Sequence, residues 1–220
     1  MKHLVAGTLK LEIHPNRQAA GAAAARAVAE ELRRLDQPGK DIGVIFATGA
    51  SQFETLDALT SIPGLPWNRV KGFHMDEYIG LDANHPASFR RYLREKLTQR
   101  VAMHDFFEID GNAQDIDLFS QEYIRKLDLA GPRLCLLGIG ENGHLAFNDP
   151  SEANFNDPQA MKVVTLDDMC RQQQVVHAGD AEHVHGPVLL ARVGELGIRA
   201  IGRKAVAVAS RLQQMDQLAS

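Results

Sequence analysis

The stretch LCLLGIGENGHLAFNDP, residues 134–150, joins an apolar run to a glycine-rich turn that carries a histidine. Leu134–Ile139 has the length and the apolar character of a strand that is covered on both faces. Gly138, Gly140 and Gly143 allow the following backbone to turn sharply and to come close to a ligand. The stretch therefore predicts a central buried strand with a functional turn at its carboxyl end.

Strands and helices alternate through the rest of the sequence. Apolar runs and helical spacing predict strands over 42–47, 70–75 and 106–109 and helices over 16–35, 52–60, 86–97 and 116–129. Asn16 is the expected cap of the first helix. This alternation predicts an α/β, Rossmann-like fold, a mostly parallel sheet with helices on both faces. In such sheets ligands bind beyond the carboxyl ends of strands, so informative residues should directly follow apolar runs.

The composition is that of a globular protein and argues against two kinds of partner. Of the 220 residues, 45% are hydrophobic and 24% are charged, and the net charge is -4. The acidic balance argues against a nucleic-acid partner. No apolar stretch approaches the ~18 residues that cross a bilayer, and residues 1–14 lack the apolar core of a signal peptide. With only two cysteines, these features lead us to expect a cytoplasmic protein without a membrane partner.

The turn Thr48-Gly49-Ala50-Ser51 follows the predicted strand 42–47. A glycine turn between a strand and a helix exposes backbone N–H groups where the helix dipole favours an anion. The hydroxyls of Thr48 and Ser51 could add donors. An ordinary helix cap is an equally good interpretation, and the pattern is neither a P-loop nor a dinucleotide fingerprint.

Two further segments carry ionisable side chains directly after predicted strands. Asp76 and Glu77 follow the strand 70–75, where burial would raise a carboxyl pKa toward that of a general base. Taken alone, this pair is better interpreted as a solvated acidic turn. His144 lies in the glycine-rich turn, where an imidazole can shuttle protons near neutral pH, and Asp149 is close enough in sequence to orient it. A single histidine is more often structural, but its glycine-rich setting favours catalysis.

Together these segments resemble the glucosamine-6-phosphate deaminase/isomerase family. The resemblance is carried by TGAS at 48–51, MDEYIGL at 75–81, HPASF at 85–89 and GIGENGHLAFNDP at 138–150. Their order and spacing match the family over roughly residues 42–174. The related 6-phosphogluconolactonases share the G-x-x-x-G-H core but usually continue with A-S-L-F-P. The AFNDP ending at 146–150 therefore favours the deaminase side.

The resemblance implies roles for individual residues. Asp76 would carry a proton between C2 and C1 of the opened sugar, and His144 would open the ring. Asp149 would orient that imidazole, and Asn142 stands where many members have an aspartate in the same relay. The resemblance also implies a substrate and phosphate site formed by Thr48, Gly49, Ala50, Ser51, Glu77, Arg171 and Lys204.

The implied protein is a single sugar-phosphate isomerase-type domain over 1–220 that uses no cofactor and no metal. It would be a hydrolase-class deaminase and aldose–ketose isomerase, converting glucosamine 6-phosphate to fructose 6-phosphate and ammonia by ring opening and C2-to-C1 proton transfer. The alternatives are a galactosamine-6-phosphate enzyme, a 6-phosphogluconolactonase, or a catalytically weak sugar-phosphate-binding regulatory protein.

The sequence departs from the family pattern in its last third. Ala50 replaces the usual phosphate-binding serine, so one donor is lost. Residues 175–197 lack the usual apolar strand and carry histidines whose spacing fits no tight zinc motif, so we expect a loose surface loop there. The chain also ends sooner after Lys204 than relatives do, and we expect 175–220 to be divergent or shortened. An open sheet edge would follow, and a homo-oligomer could cover it.

Overall fold

The computed structural model of the chain describes residues 2–6, 9–140, 143–154, 156–166, 187–191 and 205–209. In chain order the strands are β1 (Lys2–Ala6), β2 (Leu9–Ile13), β3 (Ile42–Phe46), β4 (Val70–His74), β5 (Asp76–Tyr78), β6 (Asp105–Phe107), β7 (Leu134–Ile139), β8 (Met161–Val164), β9 (Val188–Ala191) and β10 (Ala205–Ala209). The helices are α1 (Arg17–Leu35), α2 (Phe53–Thr60), α3 (Phe89–Leu93) and α4 (Ile116–Ala130).

The main sheet of the described chain has five parallel strands in the order β10-β7-β3-β4-β6. After β3 the chain moves to β4 and β6 on one side, and it then returns to β7 and β10 on the other side. The connections therefore reverse direction between β3 and β7, which is where open α/β sheets form their ligand crevice. A smaller antiparallel sheet has the order β5-β9-β8, and β1 pairs with β2 as a hairpin.

Both faces of the main sheet are buried. Consecutive side chains of its central strands point to opposite faces, and each face is covered by other elements. One face packs against α1 and α2 through residues that include Val44, Phe46, Leu134 and Leu136. The other face packs against α4 and the small antiparallel sheet through residues that include Ile45, Phe73, Cys135 and Leu137. This two-sided burial confirms the predicted α/β, Rossmann-like fold and explains its uninterrupted apolar strands.

Several local predictions can be compared directly with the structure. Asn16 caps α1, because its side-chain oxygen accepts a hydrogen bond of 2.8 Å from the Ala19 amide. The helix predicted over 86–97 begins only after Ser88, which is extended and caps α3. The helix then widens into a π-helical turn over Arg94–Thr98. Within the described residues, no helix has both the length and the apolar character needed to cross a membrane.

The expectation of a loose surface loop over 175–197 is wrong for its middle. Strand β9 lies there, and Val188 and Leu189 are fully buried between β5 and β8. A four-residue strand is too short to stand out in a segment rich in small and polar residues, and its burial depends on partners far along the chain. The candidate metal ligands His177, His183 and His185 lie outside the described residues.

A close approach between α1 and α2 provides a test of this packing. A Cβ atom at Gly21 would lie 2.4 Å from the Glu54 Cβ and 2.7 Å from the Glu54 backbone carbon. Alanine has a better helix propensity than glycine by about 1 kcal/mol, but overpacking against backbone costs about 1–3 kcal/mol. We therefore expect Gly21→Ala to lower the free energy of unfolding, measured by urea denaturation.

The neighbouring substitution Ala22→Gly, at a half-buried position, reports mainly helix propensity and should cost about 1 kcal/mol. A Gly21→Ala variant that is more stable than the wild type would show that the two helices do not approach this closely.

Candidate active site

A cleft of about 100 Å³ opens at the carboxyl ends of β3 and β7, where the sheet connections reverse. It is lined by Ala47, Thr48, Gly49, Ala50, Ser51, Met75, Asp76, Phe89, Gly138, Ile139, Gly140, His144, Ala146 and Phe147. Four segments that are distant in sequence therefore share one cleft. They are the turn after β3, the start of β5, the start of α3, and the glycine-rich loop after β7.

The turn after β3 presents the start of a helical segment to the cleft. Gly49 has φ +100°, in a region that only glycine enters without strain. A single 3₁₀ turn over Ala50–Gln52 leads directly into α2, and within the described chain no side chain caps it. The dipole of such a segment favours an anion near its first N–H groups. A Cβ at Gly138 would lie 2.6 Å from the Ser51 hydroxyl, so glycine lets the two loops touch.

Asp76 begins β5 and lines the cleft while being only 4% exposed. Its Oδ1 atom has no hydrogen-bond partner among the described residues. Burial, together with the neighbouring charge of Glu77, raises the pKa of the Asp76 carboxyl from 3.8 to about 8. A carboxylate with this pKa is a much stronger base than a solvated aspartate, and its free oxygen can accept a proton from a ligand.

His144 and Asp149 form a buried pair beside the cleft. The Nδ1 of His144 lies 3.0 Å from the Oδ1 of Asp149, whose side chain is fully buried. A neutral imidazole that donates Nδ1–H to this carboxylate carries its lone pair on Nε2, the atom that takes up and returns a proton. The ring lies over the backbone of Gly140, where a Cβ would be 2.2 Å from the His144 Cε1. Only glycine at position 140 leaves room for the imidazole.

The loop that carries His144 is strained and then held in place. Ala146 and Phe147 both have φ +51°, a left-handed conformation that costs a residue with a side chain about 1–3 kcal/mol. The Asn148 amide donates to the carbonyls of Leu145 and Ala146, at 3.0 and 3.2 Å. The ring of Phe147 stacks on that of Phe89, with 5.9 Å between the ring centroids, and its centroid lies 5.6 Å from that of the His144 ring. Strained backbone of this kind is typical of functional loops.

Glu77 lies away from the cleft. Its carboxylate is fully buried and accepts hydrogen bonds from Ser88, from Arg90 and from backbone amides at the start of α3. This position does not support the substrate contact that the family resemblance implies for Glu77. It leaves Asp76 as the carboxylate of this pair that lines the cleft.

The structure thus brings together most of the site residues expected from the sequence. Thr48, Gly49, Ala50, Ser51, Asp76 and His144 line one cleft, and Asp149 lies behind His144. Asn142, Arg171 and Lys204 lie outside the described residues, so their assignments stay predictions. Sequence reasoning missed Phe89 and Phe147 as lining residues, although each belongs to a motif that was recognised, HPASF and AFNDP. Among the described residues lining the cleft there is no lysine or arginine.

Comparisons with known proteins agree with this geometry. The model of the family described as glucosamine-6-phosphate isomerases/6-phosphogluconolactonase matches residues 15–174. A glucosamine-6-phosphate deaminase from Arthrobacter sp. (strain FB24) is 38% identical over 151 residues, which are 66% of this chain and 56% of that protein. Another from Streptomyces avermitilis is 32% identical over 195 residues, 86% of this chain and 72% of that protein. The chain therefore spans little more than half of the Arthrobacter relative.

Solved structures share this fold. A monomeric glucosamine-6-phosphate deaminase superposes with a TM-score of 0.77 at 25% identity, over 93% of this chain and 84% of that one. The 6-phosphogluconolactonase from Thermotoga maritima has a TM-score of 0.62 at 18% identity, over 86% and 76% of the two chains, and supports the fold alone. The resemblance drawn from the motifs is confirmed, and the chain belongs to the glucosamine-6-phosphate isomerase/6-phosphogluconolactonase family.

Proposed function

We propose that this chain is an amino-sugar-phosphate deaminase/isomerase that converts glucosamine 6-phosphate to fructose 6-phosphate and ammonia. The observation that carries the proposal is the single cleft shared by a buried carboxyl with a raised pKa, Asp76, and a carboxylate-bound imidazole, His144. The names of the relatives from Arthrobacter and Streptomyces support the same reaction.

The reaction begins with opening of the sugar ring by His144. The imidazole takes the proton of the C1 hydroxyl and returns a proton to the ring oxygen, so that the C1–O5 bond breaks and a C1 aldehyde forms. The charge that His144 gains on the way is stabilised by Asp149 at 3.0 Å. General acid–base catalysis of this kind contributes about 10²–10⁴-fold.

Asp76 then moves a proton along the opened chain. The C1 carbonyl acidifies the C2 hydrogen, Asp76 removes it, and the C1 oxygen takes up a proton from the C2 ammonium group, so that an enolamine forms between C1 and C2. The same carboxyl returns the proton to C1, which leaves a protonated imine at C2. Water adds to that imine and ammonia departs, giving the 2-ketose. The exchange needs only a base with one free oxygen, and Oδ1 of Asp76 has no partner among the described residues.

The phosphate provides the remote handle that positions the reacting carbons. The first N–H groups of the helical segment after Gly49 can bind it through backbone alone, so the replacement of serine by Ala50 removes a hydroxyl and leaves those amides in place. We propose that Arg171 and Lys204 supply the positive charge that the described lining residues do not carry.

A 6-phosphogluconolactonase is the second candidate, because the family model covers both activities and the Thermotoga enzyme shares the fold. A substrate panel distinguishes the two. We expect ammonia release from glucosamine 6-phosphate, with slower or no release from galactosamine 6-phosphate and no hydrolysis of 6-phosphogluconolactone. Lactone hydrolysis without ammonia release would reverse the assignment.

Replacing Asp76 with asparagine tests the base. We expect Asp76→Asn to lower kcat for ammonia release by at least about 10³-fold, because an amide cannot accept the C2 proton at neutral pH. The variant should also be at least as stable as the wild type at pH 8. A carboxyl with a raised pKa loses native-state stability as pH rises from its unfolded value of 3.8 through about 8, and asparagine does not titrate.

Asp128→Asn, the same substitution at an exposed position of α4, is the matched control and should leave activity and stability unchanged. Appreciable turnover by a folded Asp76→Asn variant would remove Asp76 from the mechanism.

The pH dependence of the wild type follows from the same carboxyl. Because its pKa is about 8, only about one tenth of Asp76 is ionised at pH 7, and the ionised form is the one that removes the proton. We therefore expect kcat/KM for glucosamine 6-phosphate to rise about tenfold per pH unit below pH 8 and then to level off. A flat profile between pH 6 and 8 would contradict this.

Removing the partner of the imidazole tests the ring-opening step. We expect Asp149→Asn to lower kcat by about 10²-fold with little change in KM, because the amide cannot stabilise the charged imidazole while the phosphate contacts persist. Initial-rate measurements on Asp149→Asn and on the Asp128→Asn control provide the comparison. Equal rates in the two variants would mean that His144 works without Asp149.

A further inference from the structure

A second buried carboxylate lies directly beside the proposed base. The Oε1 atom of Glu77 accepts hydrogen bonds from the amides of Tyr78 and Phe89, at 2.9 and 3.2 Å. Its Oε2 atom accepts from the Ser88 hydroxyl at 2.9 Å and from the amide and Nε of Arg90, at 2.9 and 3.2 Å. Both oxygens of this carboxylate are therefore surrounded by donors, most of them from the start of α3.

Arg90 is fixed from several directions as well. Its guanidinium donates to Asp110 at 2.7 Å and to the Leu81 carbonyl at 2.6 Å, in addition to its contact with Glu77. The side chain of Arg90 is only 6% exposed. The two residues thus tie β5 to α3 and to the loop around Asp110. We call this set, Glu77, Ser88, Arg90 and Asp110, the Glu77 clamp.

The donors of the clamp require the ionised form of Glu77. Burial raises the pKa of the Glu77 carboxyl, and the hydrogen bonds from Arg90, Tyr78, Phe89 and Ser88 oppose that rise because they stabilise the charge. Amide and guanidinium N–H groups can only donate, and each oxygen faces at least one of them. A proton on either oxygen would meet one of these donors, so the carboxylate is the form that fits.

Strand geometry couples the clamp to the cleft. Asp76 and Glu77 are consecutive residues of β5, and consecutive side chains of a strand point to opposite faces. With Glu77 held toward α3, Asp76 is turned toward the cleft. Because Oδ1 of Asp76 has no partner among the described residues, its orientation relies in part on the β5 backbone, which Glu77 and the pairing with β9 anchor.

We propose, on the basis of the proposed deaminase/isomerase function, that Glu77 is a positioning residue for Asp76: the clamp orients β5 and keeps a buried negative charge next to the base. Glu77 does not touch the substrate in this proposal. Its charge makes loss of the proton from Asp76 harder, so the base is stronger than burial alone would make it.

Apart from Arg90, whose guanidinium is bound by Glu77, the other groups around Asp76 are neutral or lie across the cleft. His74, two residues earlier, is neutral because burial lowers its pKa to about 3. Tyr123 of α4 and Cys135 of β7 are neutral because burial raises the pKa of each well above its ordinary value. His144 faces the same cleft from the loop after β7. The charge of Glu77 is therefore the one whose removal should move the Asp76 titration most.

Glu77→Gln tests the proposal through activity and titration together. We expect the acid limb of the kcat/KM profile to move about one pH unit lower, because the neighbouring charge is lost. At the alkaline plateau we expect kcat to fall about tenfold, because Asp76 is weaker and less well oriented, while KM changes less than twofold. The midpoint of the Asp76 carboxyl, followed by ¹³C NMR of aspartate-labelled protein without substrate, should fall by the same amount.

Two controls separate charge from structure. Ser88→Ala removes one hydrogen bond to Glu77 and keeps its charge, so it should lower the melting temperature without moving the Asp76 midpoint. Glu108→Gln removes a charge that is bound by Arg94 and partly exposed, so it should leave the Asp76 midpoint unchanged. A rise in KM with an unchanged pH profile in Glu77→Gln would instead support a substrate-binding role and overturn the proposal.

A measurement on the unmodified protein keeps the proposal testable if Glu77→Gln does not fold. ¹³C-labelled glutamate should show Glu77 ionised throughout the pH range in which Asp76 titrates, and a protonated Glu77 at pH 7 would overturn the proposal. Wild-type protein that releases no ammonia would refute the proposed function instead. The carboxyl titrations do not require turnover, so the two failures are distinguishable.

Discussion

The candidate site depends on the parallel pairing of β3 with strands on both of its sides. Phe46, at the end of β3, lies opposite His74 of β4 and Leu136 of β7, so the carboxyl ends of the three strands lie close together. The chain leaves β3 in one direction and β7 in the other, which separates their loops and opens the cleft. Backbone hydrogen bonds of the sheet therefore bring Asp76, His144 and the Gly49 turn together.

The two adjacent carboxyl groups of β5 differ in how far neighbouring elements stabilise their charge. Burying a lone carboxyl is unfavourable, and the protein compensates Glu77 fully while leaving Asp76 with an unpaired oxygen. Five donors around Glu77 make it a fixed charge, whereas the exposed fraction of Asp76, 4%, gives it little help from water. Two adjacent carboxyls of the same strand thus acquire opposite properties, one held ionised and one kept ready to exchange a proton.

Much of this arrangement could be predicted from the sequence, and the remainder has identifiable physical reasons. The central strands are covered on both faces, so strands such as Leu134–Ile139 are apolar runs that can be recognised in the sequence. The direction of Glu77 could not be predicted, because the sequence does not say which face of a three-residue strand meets the cleft. Strand β9 was missed because its burial comes from β5 and β8, which no local pattern in residues 175–197 reveals.

The position of His144 rests on a balance between strain and packing. Gly140 provides the space for the ring, but the left-handed conformations of Ala146 and Phe147 oppose the loop by about 1–3 kcal/mol each. The hydrogen bonds of Asn148 and the stacking of Phe147 on Phe89 offset that strain with interactions of about 1 kcal/mol apiece. Because Phe89 belongs to α3, the helix that anchors Glu77 also supports the loop of His144, and one short helix helps to orient the groups proposed for ring opening and for proton transfer.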